Sequence, residues 1–209
     1  MNMEMFIDQA KAIYNGDNTG HDYSHIERVI EFCRIIHEKE GGNWDVIVIS
    51  ALFHDVHRVM SNKAKKYITP SESISTISEI LTKFKLNGKL LKNILYIIEH
   101  HDNKTGERKG TIELQILQDA DLLDSIGEIG LERTIKYCNS KNIPIYDKKY
   151  PLDSPLYKAN TNPISATHYV YRTMLEKAKL LNTNTAKEIA DPQIGVLKDF
   201  IYKNSNIII

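Results

Sequence analysis

The chain has 209 residues, with 27 basic and 27 acidic side chains that give a formal net charge of zero. This length fits one domain with a sizeable core. The 42% apolar and 26% charged fractions are those of an ordinary globular protein. The balanced charge argues against a protein that binds nucleic acid polymers or anionic membranes mainly through its bulk field.

The two cysteines, Cys33 and Cys138, are too few for a disulfide framework and lack the paired spacing of a zinc knuckle. The first residues have neither the basic nor the long apolar region of a signal peptide, and no apolar run approaches the ~20 residues of a membrane span. We therefore expect a cytoplasmic protein with buried thiols and no membrane partner.

Apolar residues recur at three- and four-residue steps through most of the chain, which predicts an all-α, single-domain bundle of about seven to nine helices. Asn43 and Ser71 are the predicted N-caps of two of them. The apolar run from Val46 to Phe53 is interpreted as a buried helix, because it continues to Val59, beyond the usual length of a strand. In chain order, the predicted helices cover about 3–14, 23–39, 44–59, 71–81, 90–102, 112–123, 126–137, 165–181 and 185–202.

Two segments do not follow this helical pattern. Residues 61–67 carry three lysines and predict an exposed, mobile loop. Residues 139–163 hold four prolines and are long for a connection inside a compact domain, so they form either a lid or an insertion.

Ionisable residues lie inside apolar helical faces at several positions. His54 and Asp55 follow a nearly uninterrupted apolar run, where such a pair is costly to bury unless it is paired or binds a metal. His25 lies near the start of the preceding helix, and Asp121 lies in another apolar helix. Two imidazoles and two carboxylates form a complete protein ligand set for one divalent metal, and this mixture favours a transition metal over calcium.

These residues resemble the HD-domain metal-dependent phosphohydrolases, an all-α superfamily named for the adjacent His-Asp pair. The resemblance implies an HD-type helical bundle, with a metal-binding core of about 20–138, the irregular segment 139–163 and C-terminal helices at about 164–203. The matching segments are His21-Asp22-Tyr23-Ser24-His25-Ile26-Glu27-Arg28-Val29, Ala51-Leu52-Phe53-His54-Asp55-Val56, Leu117-Gln118-Asp119-Ala120-Asp121-Leu122-Leu123-Asp124-Ser125-Ile126-Gly127, Thr167-His168-Tyr169 and Leu180-Leu181-Asn182-Thr183.

The resemblance implies four metal ligands, which are His25, His54, Asp55 and Asp121. Asp121 is preferred to Asp119 because the family's last ligand lies in an Ala-Asp-x-Leu context. The expected metal is Mn²⁺, with Mg²⁺, Co²⁺, Ni²⁺, Fe²⁺ and Zn²⁺ as alternatives.

The remaining site residues are expected to handle protons and phosphates. The candidate catalytic residues are His101, which matches a histidine facing the site in this subfamily, the adjacent Asp102, and His57. Some relatives place a carboxylate at position 58, where this chain has arginine, so the general base stays unassigned. The candidate phosphate-binding residues are Arg28, Arg58, Lys63, Lys66 and Lys104.

The expected function is therefore hydrolysis of a phosphoester or phosphoanhydride bond in a small phosphorylated metabolite. The favoured substrate is a nucleotide, with nucleoside triphosphate pyrophosphohydrolysis as one form of the activity. Two alternatives stay open: a non-catalytic sensor that binds metal and nucleotide, and a di-iron oxygenase that uses additional histidines. The sequence also leaves open whether the chain forms a homodimer.

Overall fold

All regular structure that the computed structural model describes, over residues 2–16, 22–102, 110–156 and 162–209, is helical. A π-helical turn, Val170–Met174, joins the helix Ala166–Tyr169 to the helix Leu175–Ala178. The predicted all-α class is confirmed. No helix in these ranges is long and apolar enough to cross a membrane. The helices are Met3–Tyr14 (α1), Tyr23–Glu40 (α2), Trp44–Phe53 (α3), Val56–Ala64 (α4), Pro70–Thr82 (α5), Gly88–His100 (α6), Ile112–Ile126 (α7), Glu128–Ser140 (α8), Ala166–Tyr169 (α9), Leu175–Ala178 (α10) and Asn184–Ser205 (α11).

The chain divides into two compact units, residues 1–120 and 121–209, and the boundary between them falls inside α7. In the first unit, α3 packs against α1, α2 and α6, and α5 packs against α4 and α6. In the second unit, α11 packs against α8 and against the helical run 166–178. The division into segments 20–138, 139–163 and 164–203 stays a prediction.

Helix α3 is apolar on all sides, and every residue from Val46 to Phe53 is buried. Asn43 is its N-cap, as predicted, and the Asn43 side chain accepts a hydrogen bond from the Val46 amide at 3.2 Å. Full burial of a large aliphatic or aromatic side chain stabilises the fold by about 1.5–3 kcal/mol. This packing explains why the run forms a buried helix, as the sequence predicts.

The predicted helix 44–59 is interrupted at His54 and Asp55, which differs from the expectation. Asp55 has φ −94° and ψ 11°, in the bridge region of backbone conformations, and α4 begins at the next residue. Helix α4 then extends to Ala64, so part of the expected loop 61–67 is helical. The Ser61 hydroxyl accepts a hydrogen bond from the Ile68 amide at 2.8 Å, which ties the following connection to the helix.

The N-cap of helix α5 lies two residues before the predicted cap Ser71. Thr69 is the N-cap and forms a capping box with Glu72, since each residue's side chain accepts a hydrogen bond from the other's backbone amide. Pro70 occupies the first helical position, where a missing amide hydrogen costs nothing. These two signals together define the start of the helix more strongly than a lone serine does.

In the second unit, the described part of the irregular segment is anchored to the start of the run 166–178. His168 is fully buried, and its Nε2 lies 3.0 Å from the Pro151 carbonyl and 3.2 Å from the Tyr150 carbonyl. Its Nδ1 lies 2.8 Å from the Ser165 hydroxyl. Since carbonyl oxygens only accept, Nε2 carries the hydrogen. Whether the whole segment 139–163 is a lid or an insertion stays an open prediction.

We expect the substitution His168→Phe to expose the chain around Lys148 and Lys149 to trypsin. Phenylalanine fills a similar volume but cannot donate to the two carbonyls, so the chain at Tyr150 and Pro151 loses the side chain that holds it. The rate of cleavage after these lysines, followed by mass spectrometry, should rise. The matched control is His37→Phe, because the His37 ring also bonds a carbonyl, that of Gly41, but at the end of α2. An unchanged rate in His168→Phe would contradict the anchoring role.

Gly130 in α8 is expected to tolerate no side chain. A Cβ atom built there would lie 2.2 Å from the Ser125 carbonyl oxygen, which is backbone and cannot move alone. We expect Gly130→Ala to lower the free energy of unfolding by about 1–3 kcal/mol in urea denaturation, as overpacking does. Gly195→Ala in α11 is the control, because it meets nothing within 4 Å and should stabilise by up to about 1 kcal/mol through helix propensity. Equal effects of both substitutions would refute this explanation.

Candidate metal centre

Three elements of the first unit bring the predicted His and Asp residues together. His25 lies in the first turn of α2, and His54 and Asp55 occupy the break between α3 and α4. His101 is the residue that follows the last turn of α6. All four side chains are at most 3% exposed, so any charge on Asp55 is held away from bulk water.

Three histidines of this region share one hydrogen-bonding pattern, in which Nδ1 faces a backbone carbonyl three residues earlier. The distances are 2.8 Å from His54 to Ala51, 3.1 Å from His57 to His54 and 2.6 Å from His101 to Ile98. Because a carbonyl oxygen only accepts, Nδ1 carries the hydrogen in each ring. In a neutral ring, Nε2 then presents a lone pair, which is the form that binds a metal.

The Nε2 atoms of three histidines surround the Asp55 carboxylate. His25 and His54 place Nε2 at 3.4 Å and 3.6 Å from Oδ2, and His101 places Nε2 at 4.0 Å from Oδ1. Ligand atoms of His54, Asp55 and His101 all lie within 4.8 Å of one another. Imidazole nitrogens and a carboxylate at this spacing suit a divalent transition metal, so the residues present fit the metal that the sequence implies.

Arg58 and His57 complete the surroundings of Asp55. The Arg58 Nε donates to Asp55 Oδ1 at 3.1 Å, and the Arg58 side chain is about one-third exposed. Burial lowers the pKa of His57 below its usual value, although the negative charge of Asp55 opposes this shift. His57 is fully buried and Nε2 of its ring has no hydrogen-bond partner among the described residues. Burial therefore favours the neutral form of this ring.

Among the residues that the structure describes, the other predicted site residues are more exposed than the members of this cluster. Asp121 is half-buried on α7 in the second unit, and its role as a ligand stays a prediction. Arg28 and Asp102 are half-buried. Lys63 and Lys66 are exposed at the end of α4, where Lys63 lies about 12 Å along the helix axis from Asp55. Lys104 lies outside the described residues.

The sequence indicates His101 as a catalytic candidate, and in the structure it also forms a group of metal-ligand type with His54 and Asp55. The signal was present, since His101 ends an apolar helix as His54 does. What the sequence could not reveal is the distance between α6 and the break after α3, which tertiary packing determines.

We expect Mn²⁺ to stabilise this protein through Asp55. At about 100 times its Kd, a ligand that binds only the folded state adds about 2.7 kcal/mol to the free energy of unfolding. Thermal unfolding with and without Mn²⁺ should show this gain in the wild-type protein and lose most of it in Asp55→Asn. The matched control is Asp45→Asn, which removes an exposed carboxylate from α3 and should keep the gain. Full stabilisation of Asp55→Asn by Mn²⁺ would exclude Asp55 as a ligand.

Comparisons with known proteins identify a matching family and several similar structures. The family model for the HD domain matches residues 22–126, just over half of the chain. An HD-superfamily hydrolase from Bacillus thuringiensis is 29% identical, with a TM-score of 0.76 over 97% of this chain and 94% of that one. The Lin1889 protein from Listeria innocua is 31% identical, with a TM-score of 0.70 over 97% of this chain and 95% of that one.

A third relative is YpgQ of Bacillus subtilis. Its sequence is 25% identical over 195 residues, which cover 91% of this chain and 86% of YpgQ. The structure of YpgQ in complex with ADP has a TM-score of 0.70 at 24% identity, over 96% of both chains. The match of the family model over residues 22–126, which contain the His25, His54, Asp55 and His101 cluster, establishes that the chain belongs to the HD-domain family.

Proposed function

We propose that this protein is a metal-dependent phosphohydrolase that acts on a nucleotide. The observation that carries the proposal is the convergence of imidazole Nε2 atoms on the buried Asp55 carboxylate. A buried site of this kind favours a bound cation in addition to Arg58, since carboxylates in apolar surroundings are costly unless they are paired or bind a metal.

The proposed ligands are His25, His54, Asp55 and Asp121, of which Asp121 is included because of its Ala-Asp-x-Leu sequence context. Mn²⁺ is the proposed metal, and a bound divalent ion lowers the pKa of water and withdraws charge from phosphoryl oxygens. The protein backbone orients the histidine rings. The carbonyls of Ala51 and Ile98 fix which ring nitrogen of His54 and His101 faces the site.

The roles of the other residues follow from their positions and chemistry. Arg58 contacts Asp55 while one-third of its side chain is exposed, which supports a role in holding a substrate phosphate beside the carboxylate. Nε2 of His101 is the atom proposed to accept or orient a proton, with Asp102 and His57 as alternatives. Arg28, Lys63, Lys66 and Lys104 are proposed to hold the remaining phosphates as positive charges.

A nucleotide is the proposed substrate. It is supported by the likeness to YpgQ, which has been crystallised in complex with ADP. One reaction that we propose is the hydrolysis of a nucleoside triphosphate to a monophosphate and pyrophosphate. The proposed location is the cytoplasm, in keeping with two buried cysteines that form no disulfide.

We expect the purified protein with Mn²⁺ to release phosphate or pyrophosphate from at least one member of a panel of ribo- and deoxyribonucleoside triphosphates, monophosphates and cyclic or dinucleotide esters. His54→Ala and Asp55→Ala should each lower kcat/KM by at least about 100-fold, because they remove groups that hold the reacting centre. The matched control is His37→Ala. This residue lies on α2 like His25 but about 18 Å further along the helix axis, and its substitution should leave the activity unchanged.

Each other outcome has a distinct meaning. Turnover that survives both His54→Ala and Asp55→Ala would show that the reaction takes place elsewhere. Nucleotide binding without turnover of any phosphorylated compound would favour the sensor function. Two irons per chain with consumption of oxygen would favour the oxygenase.

A further inference from the structure

The end of α6 presents His101 to Asp55, and side chains hold that end in place. The last four carbonyls of an α-helix have no amide donor within the helix. Here the His101 ring approaches the Ile98 carbonyl at 2.6 Å. The carbonyl of His100, which belongs to the peptide group joining His100 to His101, receives a different donor. That donor comes from α7.

The donor is the side-chain amide of Gln118, whose Nε2 lies 3.1 Å from the His100 carbonyl oxygen. Gln118 is 4% exposed, so the bond is formed largely away from competing water. The orientation of a peptide plane sets φ of the residue that follows it, and therefore the direction in which that residue's side chain leaves the backbone. The Gln118 bond thus restrains the direction of the His101 ring from outside α6.

We propose that Gln118 is a positioning residue, which holds the His100–His101 peptide so that the His101 Nε2 atom faces Asp55. The effect on catalysis rests on the proposed function, whereas the effect on the His101 ring does not. Glutamine suits this task because its amide donates to a carbonyl, which the ionised carboxylates of its neighbours on α7 cannot do.

Gln115, one turn earlier on α7, offers a close comparison. Its Nε2 also donates to a backbone carbonyl, that of Gly110, at 3.0 Å. The two glutamines therefore share the same helix, the same chemistry and similar hydrogen-bond lengths. They differ in the peptide that they hold, since only Gln118 bonds the peptide that precedes His101.

The kinetic test compares Gln118→Met, Gln118→Glu, Gln115→Met and His101→Ala, together with the double variant Gln118→Met/His101→Ala, on the best substrate found. Methionine keeps the length of glutamine without a donor, and glutamate replaces the donor with an acceptor. We expect both Gln118 variants to lower kcat about 10- to 100-fold with little change in KM, and Gln115→Met to retain wild-type kcat. In the His101→Ala background, Gln118→Met should have no further effect.

A full additional loss in the double variant would show that Gln118 does not act through His101. A loss of kcat in Gln115→Met equal to that in Gln118→Met would show that the effect is a general one of α7. Either result would overturn the proposal. Urea denaturation of each variant distinguishes these results from a simple loss of folding.

A second measurement needs no enzymatic activity. Two-dimensional ¹H–¹⁵N spectra of the imidazole nitrogens report the tautomer and environment of each ring in the protein as purified, free of paramagnetic ions. We expect Gln118→Met to shift or broaden the His101 signals, assigned with His101→Ala, and to leave those of His37 unchanged. Unchanged His101 signals would refute the positioning role. An inactive wild-type protein with shifted His101 signals would instead reject the proposed reaction and keep the role of Gln118.

Discussion

The bond from an imidazole Nδ1 to a backbone carbonyl three residues earlier is the interaction on which this site depends. It occurs at His54, His57 and His101, so that in each ring the other nitrogen is left as the acceptor. For His54 and His101 that acceptor lies within 4.0 Å of a carboxylate oxygen of Asp55. Acceptors that face one another repel, and these imidazole nitrogens and the carboxylate would be stabilised if they held a divalent cation as its ligands.

The surrounding structure offsets only part of the free-energy cost of burying the Asp55 carboxylate. Asp55 is 2% exposed, and removing a carboxylate from water costs several kcal/mol unless charges and hydrogen bonds compensate. Arg58 supplies one positive charge at 3.1 Å. Because a site of this type does not exist in the unfolded chain, the free energy of metal binding adds to the free energy of folding. Stability and metal binding would therefore be linked through the same few side chains.

Much of this architecture can be predicted from the sequence, and the exceptions have physical causes. Helical periodicity predicted the buried helix through Val46–Phe53, because long apolar runs follow a simple pattern. The break at His54 and Asp55 was not predicted, since apolar residues continue on both sides of it. The start of α5 at Thr69 depended on a capping box that outweighs the lone Ser71. The contact between Gln118 and His100 joins residues 18 positions apart, and no local pattern encodes it.

The length of helix α3 determines where the His54–Asp55 pair lies. Its apolar residues face every direction, so the hydrophobic pattern alone does not determine its rotation about its own axis. That rotation is instead set at its ends, by Asn43, whose amide donates to Glu113 at 3.0 Å, and by the His54–Asp55 pair. One inserted residue would turn the pair by about 100° and advance it by about 1.5 Å. Apolar substitutions within this helix are therefore far easier to accommodate than insertions or deletions that change its length.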